Sequence, residues 1–166
     1  MNMRNSICPG CGLELKSDDL SLDDSYNASS ACRQLFDELS AFSLSLRDKD
    51  FIHQLVVDTY AAQHEGPNSK PIRAAFALIG LYLTFERGYT GKEVQHAHMA
   101  LGKTRREWPR FNPPAGKDAL TVRDVLQNLN EANYKEKINA WGRSVWELWL
   151  SEHETVKELV EKYLVT

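Results

Sequence analysis

The stretch Cys8-Pro9-Gly10-Cys11-Gly12 constrains this chain more than any other. Two thiols on one tight turn can converge on a single ion about 2.3 Å from each sulfur, and a glycine after the second cysteine lets backbone N–H groups turn toward them. A closed structural site takes four ligands, so such a knuckle must recruit two more from distant sequence. The chain has one further cysteine, Cys32, which follows Cys11 after 20 intervening residues. Cys32 sits just past Ser29 and Ser30, where a helix is expected to start, and shares a face with Leu35, Phe36 and Leu39. A histidine then completes the set. Of the five present, His64 is the expected fourth ligand, because it ends a helix at the reversal Gly66-Pro67-Asn68 and can reach a neighbouring cap. His53 lies three turns away on that helix, His96 and His98 lie on a later one, and His153 near the end. Two other readings stay open: a disulfide or redox pair at Cys8 and Cys11, and Cys32 as an inert buried thiol.

The metal expected from this donor set is zinc, and three cysteines cannot close a disulfide framework. The opening residues contain no apolar signal segment, so a reducing cytoplasm is the expected setting. A net charge of −3 gives no strong nucleic-acid signal. The longest apolar run, Ala74 to Leu83, is too short to span a membrane.

Hydrophobic periodicity predicts helices throughout. The first begins near Ser29 and the second covers 50–64, with Ile52, Leu55, Val56 and Tyr60 on one flank. The third opens at Pro71, a residue suited to a first helical turn, and stops at Gly88. It is apolar nearly all round, which places it centrally. Thr90-Gly91-Lys92-Glu93 is a capping box for the fourth, and Thr121 caps a short fifth. Residues 131–163 hold no proline and predict one long last helix, bearing Trp141, Val145, Trp149 and Val156. Those tryptophans either fill the core or form the face of a homodimer. No strand alternation is evident. The expected fold is an all-α helical bundle with a small irregular N-terminal zinc-knuckle cap, a single domain over 1–166 divided into a cap (1–28) and a bundle (29–166).

Other polar groups offer further chemistry. Asp58, Tyr60 and Gln63 crowd the helix that carries His64, and are expected to orient its imidazole or to stabilise the helix end. His153 follows Trp146 and Trp149 at helical spacing, as a core histidine or half of an alternative site. His96 and His98 diverge by roughly 200° on a helix and cannot chelate one ion; His96 is the one read as able to face inward, a surface place being the simpler reading. Arg105, Arg106 and Arg110 surround Trp108 in a basic loop that offers an anion-binding surface or is simply solvated.

Across nearly its whole length the chain resembles an uncharacterised, mostly bacterial family catalogued as domain of unknown function 5946. The matching stretches include Cys8-Pro9-x-Cys11-Gly12, Tyr26-x-Ala28-Ser29-x-x-Cys32 and His53-x-Leu55-x-Val57-Asp58-x-Tyr60-x-x-Gln63-His64. Later ones are Leu83-x-x-Glu86-Arg87-Gly88, Pro113-Pro114 and Leu120-Thr121-Val122-x-Asp124-Val125, then Val145-Trp146 leading to His153-x-x-Val156. The resemblance implies that the three cysteines and His64 belong to a family pattern; it implies no activity. Relatives tend to carry histidines where Ala77 and Glu152 stand here, so a second histidine-built site would be incomplete in this chain.

Two functions follow as expectations. In the first, the ion clamps the cap to the bundle of a binding or regulatory module with a protein or small-molecule partner. In the second, His64, His153 and Asp58 converge in the bundle as the site of a metal-dependent enzyme.

Overall fold

A computed structural model describes residues 2–103 and 107–164. Seven α-helices account for most of it: α1 Ser30–Ser45, α2 His53–Gln63, α3 Pro71–Arg87, α4 Gly91–Gly102, α5 Val122–Leu126, α6 Tyr134–Leu148 and α7 His153–Tyr163. Several boundaries fall where the cap chemistry predicts. Ser29 Oγ accepts from the Cys32 amide at 3.1 Å, and Thr90 and Glu93 exchange the two bonds of a capping box. Gly88 closes α3 in the left-handed conformation.

Three expectations need correction. The chain is mostly helical rather than all-α, because β1 (Arg4–Ile7) and β2 (Glu14–Ser17) form an antiparallel hairpin, Arg4 opposite Ser17 and Ile7 opposite Glu14. Its hydropathy hides it: Ser6 and Cys8 point inward while Ile7 is 64% exposed. The second helix starts at His53, not near residue 50. Asp48 takes the amides of Asp50 and Ile52 at 3.1 and 3.2 Å, and Phe51 has φ 53°, so the preceding residues form a turn. The last helix is broken: α6 stops at Leu148, a 3₁₀ turn covers Leu150–Glu152, and α7 starts at His153. The imidazole of His153 braces this break. Its Nε2 donates to the Trp146 carbonyl at 2.8 Å, adding a second bond to an oxygen that already accepts from the Trp149 amide at 3.1 Å.

The core forms where α2 and α3 pack on α6, with Leu78, Ile79, Leu81, Ile138 and Trp141 buried. Trp146 and Trp149 are buried as well, so the tryptophans fill the interior and do not form the dimer face that was their alternative role. Trp149 Nε1 donates to the Ala62 carbonyl at 3.2 Å and Trp146 Nε1 to Glu86 at 2.9 Å, which ties the last helices to α2 and α3. No helix among the described residues is long and apolar enough to cross a membrane.

Candidate metal centre

Cys8 directly follows β1 and Cys11 occupies the hairpin turn. The Cys8 amide donates to the Leu13 carbonyl at 2.9 Å and the Gly12 amide to the Cys8 carbonyl at 2.8 Å, so the turn closes on itself with both thiols on its inner side. Gly10 is required between them. A Cβ there would lie 2.5 Å from the Asn27 carbonyl oxygen and 2.6 Å from Cδ2 of His64. Cys32 enters from the first turn of α1, held by Ser29. His64 enters from the C-terminal end of α2.

The four ligand atoms lie within 4.8 Å of one another, and all four residues are buried. Cys11 Sγ and Cys32 Sγ are 3.9 Å apart, and Cys32 Sγ is 3.5 Å from His64 Nε2. Around one tetrahedral ion, sulfurs at ~2.3 Å and a nitrogen at ~2.05 Å give edges of about 3.8 and 3.6 Å. A disulfide needs ~2.05 Å between sulfurs. The three thiols are free, which sets aside the disulfide reading, and their gathering with His64 sets aside that of a scattered, inert Cys32. The imidazole is oriented as a ligand must be. Nδ1 donates to the Tyr60 carbonyl at 2.8 Å, leaving the Nε2 lone pair on the side of the sulfurs.

Without a cation these groups compete for protons. Hydrogen bonds from Cys11 and Cys32 hold the Cys8 thiol far below its ordinary value. Cys11 is drawn down by Cys32 but pushed up more by Cys8 and by burial, to about 12. Contacts with Cys11 and Cys8, together with burial, raise Cys32 strongly. The physical meaning is that a buried pocket cannot hold three thiolates unless a positive charge sits among them. The residues present therefore fit a metal ion.

Tyr60 alone among the expected supporting residues touches this centre. Its hydroxyl donates to Cys32 Sγ at 3.4 Å and its ring stacks on His64 at 3.9 Å. Burial and then Cys32 raise the phenol, so it remains a donor. Gln63 serves the scaffold: Nε2 donates to the Leu120 carbonyl at 2.8 Å and Oε1 accepts from Trp141 at 3.0 Å. His153 lies flat on Trp146 with ring centroids 3.6 Å apart, the core histidine of the two readings. Asp58 faces Gly80 of α3. His64, His153 and Asp58 thus have three separate sets of partners, and the expected convergence is not formed; the Cys8–Cys11–Cys32–His64 group is the one metal-capable cluster of three or more among the described residues. Arg110 is exposed and donates to the Ser69 carbonyl at 3.3 Å, while Arg105 and Arg106 lie outside the described residues.

Of the α4 pair, His96 takes the surface place that was its simpler reading, and the inward turn of His98 went unread. His96 is exposed and His98 turns inward, stacked on Phe76. The signal was present: His98 follows buried Val94 by four residues and precedes buried Leu101 by three. Glu65 was also passed over. It is 6% exposed, its carboxyl is raised chiefly by burial, and Oε2 has no hydrogen-bond partner among the described residues.

Fold and centre together define a mostly helical protein with a buried Cys₃His cluster that joins an N-terminal hairpin to two helices. The chain belongs to a family of unknown function (DUF5946), which matches residues 6–150 and so includes all four candidate ligands. No curated protein and no solved structure matches it significantly.

Proposed function

We propose that this is a zinc protein in which the ion has a structural role, and that the protein acts as a binding or regulatory module rather than as an enzyme working at that ion. One observation carries the reading: four buried side chains of the chain itself complete the donor set, which leaves no position for substrate or water. Cys8, Cys11, Cys32 and His64 would hold the ion, and its positive charge lets all three thiols ionise together. The chain arranges the rest. Tyr60 fixes the imidazole tautomer through its carbonyl and steadies Cys32 through its hydroxyl. Gly10 lets the hairpin turn close against His64.

The clamp matters because the hairpin has little core of its own. Beyond the cysteines it buries mainly Leu13. Lys117 Nζ donates to the carbonyls of Pro9 and Gly10 at 2.7 and 3.0 Å, but such exposed bonds contribute little each. A structural zinc contributes about 10 kcal/mol or more of apparent binding energy. Three thiolates also suit a reducing compartment, which supports a cytoplasmic setting.

Elemental analysis of protein purified under reducing conditions tests the reading. It should return one zinc per chain, and cobalt substitution should give the intense visible bands of a tetrahedral thiolate site. Protein free of metal, with an unchanged melting temperature, would overturn it.

A further inference from the structure

A second cluster of polar side chains lies outside the metal centre, between α2, α3 and α4. Gln54 Nε2 donates to Asp58 Oδ1 at 3.1 Å and lies 3.3 Å from His98 Nδ1. His98 Nε2 is 2.8 Å from the Phe76 carbonyl, which can only accept. His98 is therefore protonated on Nε2, and its Nδ1 receives the other N–H of Gln54. This uses every donor of Gln54 and both nitrogens of His98. Two acceptors remain without a partner among the described residues: Asp58 Oδ2 and Gln54 Oε1.

Gln54, Asp58 and His98 form the polar wall of an open pocket of about 340 Å³, with Asp58 Oδ2 on the α3 side against Gly80. Val57, Ala61, Ile72, Phe76 and Ala77 supply its apolar walls, and Tyr26 and Arg73 also line it. Asp58 is 4% exposed, and α3 leaves space for it: any side chain at Gly80 would collide with its carboxylate. Arg73 lies over Tyr26, 4.6 Å from the ring centroid, and donates to the Ser25 carbonyl. Gly80 and Arg73 are seven residues apart on α3, a rise of ~10 Å, so Asp58 and the guanidinium belong to opposite ends.

We propose that this pocket binds a small primary amine, its ammonium group donating to the Asp58 carboxylate and Gln54 Oε1 and its short apolar body lying along Val57 and Phe76. With Asp58 ionised, the inner end offers acceptors and no spare N–H, which suits a donor-rich head group. Arg73 at the other end disfavours a second positive charge there, so the ligand's outer end is neutral or acidic. Burial holds the Asp58 carboxyl well above the usual carboxylate range, with the Gln54 bond opposing only in part. No cation faces it from its own helix, where Gln54 is the neighbour; α4 supplies the neutral His98, whose own value burial lowers, and α3 supplies only the distant Arg73. An ammonium ion supplies the missing positive charge, so amine binding favours the ionised form of Asp58 and draws its carboxyl back down, any proton it loses passing to solvent. The inference deepens the binding-module part of the reading above, and it stands or falls separately from the metal centre.

The test is calorimetric titration of reduced, metal-loaded protein with pentylamine and with pentanoate, in phosphate and in HEPES. Pentylamine should bind with net proton release, seen as a heat that differs between the two buffers, and pentanoate at least tenfold more weakly. Asp58→Asn keeps the side-chain shape and should weaken pentylamine at least tenfold. Should that variant fail to fold, two-dimensional spectra of the unmodified protein decide the matter: pentylamine should shift the Gln54 side-chain amide and the His98 ring. No pentylamine binding, pentanoate binding equally well, or shifts confined to other residues would each overturn the proposal.

Discussion

The Tyr60 hydroxyl donates to Cys32 Sγ across 3.4 Å, joining a phenol of α2 to a thiol of α1 inside the metal centre. A ligand's supporting hydrogen bond typically changes metal affinity 10- to 100-fold. Tyr60→Phe retains the ring, which stacks on Phe36 at 3.9 Å and on His64, and removes only this donor. The variant should fold and bind zinc about tenfold more weakly in competition with a chromogenic chelator. Unaltered affinity would mean that the hydroxyl merely fills space.

Chelation should act on the chain unevenly. The hairpin and the start of α1 meet the bundle through the four ligands, a few hydrogen bonds and small contacts at Leu13, Ala28 and the Tyr26–Tyr60 ring pair, whereas α3 and α6 pack through buried Leu81, Leu83, Trp141 and Trp146. Under reducing conditions, metal removal should speed amide exchange in residues 1–35 well before the α3 amides respond. A uniform loss of protection would show that the ion holds the whole fold rather than the cap.

The parts of the centre that sequence made legible are those governed by local chemistry. The Cys-Pro-Gly-Cys turn, the Ser29 cap before Cys32 and the chain reversal after His64 each declare themselves within a few residues. What stayed hidden depends on tertiary partners. The hairpin escaped because Ile7 faces outward and Ser6 inward. The break after Leu148 escaped because no proline or glycine marks it; a histidine's bond to a carbonyl seven residues back sustains it. The inward turn of His98 escaped because spacing within the histidine pair, not its relation to Val94, was weighed. Likewise, no sequence pattern announces that Asp58 meets a glycine of α3.

Asp58 should leave a signature in stability against pH. Its folded-state value is raised above the ordinary 3.8 by burial. A raised value means the folded state holds the proton longer, so the contribution is fully present below about pH 4 and is lost as pH rises toward the folded value. His98 acts in the opposite sense: burial lowers it from the ordinary 6.5, so acidification below that point favours the unfolded chain. Comparing wild type with Asp58→Asn cancels the His98 effect. The variant's melting temperature, relative to wild type, should rise between pH 4 and pH 8. A constant difference across that range would show that the carboxyl titrates normally.

His153 separates a structural histidine from a catalytic ligand. Its ring lies on Trp146 at an interplanar angle of 9°, and Nε2 donates to the Trp146 carbonyl. His153→Ala removes both contacts where the chain turns from α6 into α7. Losing the stack and one of the two hydrogen bonds to that carbonyl should cost about 1–3 kcal/mol, visible as a lower denaturation midpoint. Zinc content should remain one per chain, because no atom of His153 belongs to the Cys₃His group. Loss of metal at unchanged stability would instead make His153 a ligand and restore the enzyme reading.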